Sequence, residues 1–216
     1  MIEAVIFDLD GVLVDSEHVW DEVRQDLARE HGGRWHDRAQ ADMMGMSSVE
    51  WSRYMHDVIG LAEPPEEIDA EVVRRMQARY AKELPLVDGA IEAVQRLASD
   101  FRLGLASSSN RPLIEAVLDA ARIAGLFEAT VSSEEVERGK PAPDVYLEAA
   151  RRIQVAPERC TAIEDSANGI RAAHAAGMRV VAIPNRRYRP PADALALADV
   201  VLGSLSGLTA SVAGSE

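Results

Sequence analysis

Asp8 and Asp10 stand two positions apart, directly behind the apolar run Ala4-Val5-Ile6. The run is short, continuous and rich in β-branched residues, so it reads as a buried strand. Alternate residues of a strand share a face, so both carboxylates can point one way where it ends. Two like charges this close repel and lose hydration unless a cation or a chemical task compensates them. Gly11 allows the backbone the sharp exit that follows. Three more polar groups stand behind apolar stretches or helix starts: Ser107-Ser108-Ser109-Asn110, then Lys140 within Gly139-Lys140-Pro141-Ala142-Pro143-Asp144, then Glu164-Asp165-Ser166.

These residue types limit the chemistry. Four carboxylates with no histidine or cysteine nearby suit a hard, oxygen-seeking cation, Mg²⁺ above all. A cation beside a lysine and a hydroxyl suits a phosphoryl group, whose oxygens they neutralise and hydrogen-bond. One carboxylate can attack phosphorus, and a second can move the proton of the leaving oxygen and of water. Taken singly, each group has a plainer explanation. Asp8 and Asp10 resemble the start of a calcium loop, but that loop needs a ligand at position five and Gly at six. Here Gly11 is fourth and Val12 fifth. Ser107 to Ser109 alone make a turn and helix cap, Lys140 alone is a solvated lysine, and Glu164-Asp165-Ser166 alone is the acidic start of a helix. Their joint occurrence at successive strand ends sets these readings aside.

The elements that would position them are legible in the periodicity. Before residue 85 the pattern is helical and holds Trp20, Trp35, Trp51, Tyr54 and Tyr80. Val19, Val23, Leu27 and His31 form one stripe of a helix that Ser16 can cap. Further helices are predicted over 36–45, 48–59 and 66–82, with Pro64-Pro65 breaking the chain between the last two. After Pro85, helices at 88–99, 111–121, 143–153 (opening on Pro143) and 166–176 (ended by Gly177) alternate with strands at 102–106, near 130–131, at 161–163, 179–183 and 200–202. Such alternation implies an α/β fold with a parallel sheet covered by helices on both faces. Ligands of such sheets bind beyond the carboxyl ends of the strands.

The chain has 216 residues, with 47% hydrophobic and 27% charged residues, enough for a sizeable core. A net charge of −13 argues against nucleic acid or an anionic membrane as partner. The start runs straight into a strand with no basic flank and no long apolar segment, so no signal peptide or membrane span is expected, and the expected location is cytoplasmic. Cys160 is the single cysteine, expected as a buried small hydrophobe.

Asp8-Leu9-Asp10-Gly11, Ser107, Lys140 in Gly-Lys-Pro-Ala-Pro-Asp, and Glu164-Asp165-Ser166 resemble, in order, the four motifs of the haloacid dehalogenase superfamily. Asp15-Ser16-Glu17 and the Lys-Pro-Ala-Pro-Asp run resemble its β-phosphoglucomutase and sugar-phosphatase branch. The resemblance implies a Rossmann-like core at 1–14 and 85–216 and an all-helical cap at 15–84, inserted after the first strand. It implies Asp8 as nucleophile and metal ligand, and Asp10 as acid/base with its backbone carbonyl on the metal. Ser107 and Lys140 would hold the phosphoryl group, and Asp165 with Glu164 would complete the Mg²⁺ site. Glu17, His18 and Trp20 at the cap's entrance, and Ser108, Ser109 and Asn110 on the core side, are candidate substrate contacts. The implied activity is a phosphatase acting on a small phosphorylated metabolite, with a sugar phosphate as its expected partner. Dehalogenation is not expected, since Asp10 and Asp165 would have no purpose in it. A receiver module uses similar groups, but Lys140 here precedes Glu164-Asp165, and the cap interrupts the fold.

The rival within enzymes is a phosphomutase. Those relatives carry an arginine after a Gly-x-Ser, where this chain has Gly45-Met46-Ser47-Ser48, and a histidine where it has Trp20. Trp20 is expected to give an apolar wall and no proton-linked contact to the acid/base. Arg53, Arg74, Arg75, Arg79 and Lys82 are the cap cations that could hold a second phosphate.

Overall fold

The structure, a computed structural model, describes residues 1–44, 46–185 and 188–214. Strand β1 (Ala4–Phe7) leads into helices α1 (Glu17–Glu30), α2 (Ala39–Met43), α3 (Ser48–Tyr54) and α4 (Pro65–Lys82). Then come α5 (Ala90–Leu97), β2 (Arg102–Ser107), α6 (Arg111–Ala120), β3 (Ala129–Ser132), α7 (Asp144–Arg152) and β4 (Cys160–Glu164). Helix α8 (Ala167–Ala175), β5 (Arg179–Ala182), α9 (Ala192–Leu195), β6 (Val200–Val201) and α10 (Ala210–Gly214) complete the chain.

The six strands form one parallel sheet in the order β3-β2-β1-β4-β5-β6. Strand β1 is central, and its alternation sets the two layers. Val5 and Phe7 join the apolar cluster with α5 and α6, while Ile6 joins the one with α7 and α8. Residues are buried on both faces of β1 and β4, as a parallel sheet between helices requires.

Helices α1 to α4 are all inserted between β1 and α5. They bury Trp20, Leu27, Trp51, Val72 and Met76. Where the chain leaves and re-enters the sheet region, Val14 bridges Leu86, and the Asp15 amide donates to Pro85 O at 2.7 Å. The two crossings therefore run side by side.

Several boundaries differ from the sequence reading. The expected helix over 48–59 is α up to Tyr54 and then widens into a π turn at Met55–Ile59, closed by Gly60 at φ +87°. The expected helix over 36–45 shortens to Ala39–Met43, and Gly45 lies outside the described residues. Pro143 precedes α7 rather than opening it. The expected cap of α1 by Ser16 does not form. Ser16 has helical backbone angles and no side-chain cap bond, because its hydroxyl is drawn to the charged acceptor Asp10. Cys160 is buried as expected, and burial pushes its thiol up to about 12.

Candidate active site

The carboxyl ends of β1, β2 and β4 bring the predicted residues to one edge of the sheet. Asp8 follows β1, and its amide donates to Ile163 O at 3.0 Å. Gly11 makes the next turn possible. It sits at φ +80°, and a Cβ there would come within 1.9 Å of Asp165 Oδ2. Gly169 on α8 serves the neighbouring loop, because a Cβ there would meet Glu164 Oε1 at 1.7 Å.

Lys140 is the hub. It is 3% exposed, and its Nζ donates to Asp8 Oδ1 and Glu164 Oε1, both at 2.6 Å, and to Ala106 O at 3.1 Å. Burial alone would lower its pKa, but Asp8 and Glu164 hold it raised, so it stays charged. Glu164 has both oxygens engaged. Oε1 accepts from Lys140 and from the Tyr146 hydroxyl at 2.8 Å, while Oε2 accepts from the Asp165 amide and from the Ser166 amide and hydroxyl. Burial raises the Asp8 pKa well above the ordinary carboxylate range. Lys140 opposes the rise, and Glu164 and Asp10 add to it. Asp165 is raised for the same first reason, then by Glu164 and Asp8.

Asp8, Glu164 and Asp165 each offer an oxygen within 4.8 Å of the others. Asp165 Oδ2 is buried and has no hydrogen-bond partner among the described residues. A buried acceptor without a donor is costly, and three carboxylates without nitrogen or sulfur ligands fit a hard cation such as Mg²⁺. The Asp10 carboxylate is not part of this group. Its Oδ1 accepts from Ser16 Oγ at 2.6 Å and Trp20 Nε1 at 3.0 Å, and its Oδ2 from Ser109 Oγ at 2.6 Å and Ser107 Oγ at 3.5 Å. This corrects the expectation for Trp20. Its ring lines the cleft, but its indole N–H also reaches the Asp10 carboxylate.

The cleft above these groups is open to solvent and has a cavity volume of about 50 Å³. Asp8, Asp10, Lys140, Asp165, Ser108 and Ser109 form its floor, with Glu17, Trp20, Met43, Met44, Met46 and Trp51 on the helical side. Ser107 is fully buried and does not line the cleft, but its Oγ lies 3.5 Å from Asp10 Oδ2 and accepts from the Ser109 amide at 2.9 Å. Other candidates are not brought here. Asn110 turns to the seam with α4, where its amide donates to both Asp69 oxygens at 3.1 Å and to Glu134 at 2.8 Å. His18 lines a separate cleft with Asp15, Asp88 and Asn185. Arg74 and Arg75 are tied to Glu71, Arg75 also to Glu30, and Arg79 to Glu22.

The cation that lines the cleft on its helical side, among the described residues, is Arg24, which the sequence reading missed. The available signal was its i, i+4 spacing from Trp20 on α1. Gln40 was missed as well. Its Nε2 donates to Glu17 Oε2 at 2.8 Å, and its Oε1 accepts from Arg24 Nη1 at 3.3 Å. Burial, and then the Asp10 charge, push Glu17 up to about 7, while burial brings Arg24 down to about 10 against the pull of Glu17 and Asp10.

Residues 2–177 match the family model of haloacid dehalogenase-like hydrolases. The chain is 35% identical to hexitol phosphatase B of Escherichia coli strain K12, over 97% of this chain and 95% of that protein. It is 31% identical to the phosphorylated carbohydrates phosphatase of Thermotoga maritima, over 82% of each. The crystal structure of CbbY from Rhodobacter sphaeroides in complex with phosphate superposes with a TM-score of 0.82 at 29% identity, covering 96% of both chains.

Proposed function

The chain belongs to the haloacid dehalogenase-like hydrolase family and is a phosphoric monoester hydrolase, and on that premise we propose that it is a Mg²⁺-dependent phosphatase cleaving a small phosphorylated carbohydrate through an aspartyl-phosphate on Asp8. The observation that carries the reading is the buried Asp8–Lys140–Glu164 bridge beside the unpartnered Asp165 Oδ2. It sets a nucleophile, a fixed positive charge and a vacant acceptor on one floor. Among the described residues no helix is long and apolar enough to cross a membrane, and the partner assigned to the cleft is a small phosphate ester, as for the phosphatase relatives.

In the first half-reaction an Asp8 oxygen attacks phosphorus and the ester P–O bond breaks. The leaving oxygen takes a proton from Asp10 in its acid form. In the second, Asp10 takes a proton from water, the resulting hydroxide attacks phosphorus, and the bond to Asp8 breaks, releasing phosphate and restoring the Asp8 carboxylate and the acid form of Asp10. Lys140 donates to the phosphoryl oxygens as their charge grows. The proton on Asp10 belongs on Oδ2. Ser109 can reverse its hydroxyl and accept there, whereas on Oδ1 the Trp20 N–H can only donate. Mg²⁺, held by Asp8 and Asp165 with Glu164 bracing the loop, would neutralise phosphoryl charge when bound.

Residues 15–84 serve as a cap hinged at the paired crossings near Val14 and Leu86, and residues 1–14 and 85–216 as the core. Closing the cap excludes water and presents the cap-side wall to the leaving group. A phosphomutase, the rival reading, needs a fixed cation for a second phosphate, yet Arg24 is already surrounded by carboxylates.

The test is phosphate release from a panel of hexitol, hexose and nucleotide monophosphates with Mg²⁺ and with EDTA. Release that needs Mg²⁺ and favours carbohydrate esters supports the reading. Full turnover in EDTA would overturn the metal assignment. Glucose 6-phosphate forming from β-glucose 1-phosphate and catalytic glucose 1,6-bisphosphate much faster than free phosphate would establish the mutase.

A further inference from the structure

Arg24 is 4% exposed and lines the same cleft as Asp8 and Lys140. Its Cζ lies 4.4 Å from the Trp20 ring centroid and 4.6 Å from that of Trp51. The two rings are 5.9 Å apart and tilted by 60°, so the guanidinium sits in the V between them. Ring faces hold a cation but accept no in-plane N–H bonds. A guanidinium has five N–H donors. Among the described residues Arg24 makes one hydrogen bond, the 3.3 Å contact to Gln40, and its buried Nε has no acceptor.

What Arg24 lacks is acceptors, not negative charge. The carboxylates of Glu17, Asp10, Asp21 and Asp69 already act on it. A second phosphate or a carboxylate brought to this end of the cleft would meet their repulsion. A hydroxyl would not. It can accept from Arg24 and donate to Glu17, whose Oε1 makes no hydrogen bond among the described residues and which Gln40 holds through Oε2. A hydroxyl also suits Glu17 in either protonation state, since it can donate to the carboxylate or accept from the acid.

We propose that Arg24, positioned by Gln40, is a specificity-determining residue which, with Glu17, reads neutral hydroxyl groups of the leaving group and so selects polyhydroxylated monophosphates over esters carrying a second anionic group. The proposal rests on the phosphatase reading above for the placement of the phosphoryl end at Asp8 and Lys140.

The test is equilibrium binding to the full-length Asp8→Asn protein with Mg²⁺, followed by calorimetry and by tryptophan fluorescence, since Trp20 and Trp51 flank the reader. The probes are sorbitol 6-phosphate, inorganic phosphate and glucose 1,6-bisphosphate. Adding Arg24→Met should weaken sorbitol 6-phosphate about 10- to 100-fold, the loss typical of a charged hydrogen-bond donor, and inorganic phosphate by less than about threefold. Arg24→Lys, which keeps charge but not the fork, should fall between. Gln40→Leu gives a second, milder probe of the same chain. Equal weakening of sorbitol 6-phosphate and inorganic phosphate would overturn the proposal, leaving Arg24 a brace. Tighter binding of the bisphosphate than of the monophosphate, lost on Arg24→Met, would overturn it in favour of an anion reader. The phosphatase reading fails separately, through absence of phosphate release by the unmodified enzyme from esters that bind.

Discussion

Replacing Asp165 with Asn separates what this residue costs the fold from what it offers a cation. The side chain is buried, Oδ2 has no partner, and burial, then Glu164 and Asp8, raise its pKa well above 3.8. A raised folded-state pKa means stability that is complete below the unfolded value and lost as pH rises through the folded one. Without a cation, the wild type therefore carries a cost at pH 8 that fades towards acid pH. Asn has nearly the same shape and stays neutral. In EDTA at pH 8 the variant should be the more stable by about 1–3 kcal/mol, the cost of a buried group left unsatisfied. For a chain of 216 residues that is a rise in Tm of roughly 2–12 °C, and the gain should shrink as pH falls to 5. With Mg²⁺ at about 100 times Kd the wild type should gain about 2.7 kcal/mol, or roughly 5–11 °C, and the variant little. Scanning calorimetry with EDTA and with Mg²⁺, at both pH values, reads all four cases. A variant less stable than wild type in EDTA at pH 8, or one that keeps its Mg²⁺ shift, would refute the assignment.

Asp8→Asn should form no phosphoenzyme, whereas Asp10→Asn should lose about 10²–10⁴-fold on alkyl esters and recover part of its first half-reaction with p-nitrophenyl phosphate; burst kinetics on both variants distinguish them, and equal recovery contradicts the roles. Trp20→Phe keeps a ring against Arg24 but removes the N–H that holds Asp10 Oδ1, so kcat should fall roughly tenfold, whereas Trp20→Leu should also weaken carbohydrate esters through KM. At the seam, burial and then the Glu134 charge raise the Asp69 pKa against the pull of Asn110. The stability tied to Asp69 is thus lost as pH rises through its folded value, so Asp69→Asn should slow hydrogen exchange in α4 and α6 more at pH 8 than at pH 5; unchanged exchange at both would show that the seam bears no such strain.

The core and the polar residues gathered at its sheet edge were readable from residue order. Asp8 and Asp10 follow β1, Ser107 ends β2, Lys140 precedes α7 and Glu164 ends β4, because a parallel sheet aligns its strand ends whatever the loops do. Local pattern thus fixed which side chains arrive at the edge. It did not fix where they turn. Ser16, read as a helix cap, gave its hydroxyl to Asp10 because a charged acceptor brought near by the fold outcompetes a backbone amide. Asn110, directly after Ser109 of the floor, went to Asp69 on α4. Trp20, read as a wall, became a donor to Asp10. Arg24 escaped notice because its setting is assembled from Trp51, 27 residues away, and Gln40, 16 residues away. Which helix face meets which depends on packing among elements distant in the chain, and neither periodicity nor motif spacing encodes that geometry. The sequence determined the chemistry of the floor, while only the packing of the helices above it decided which side chains face the leaving group.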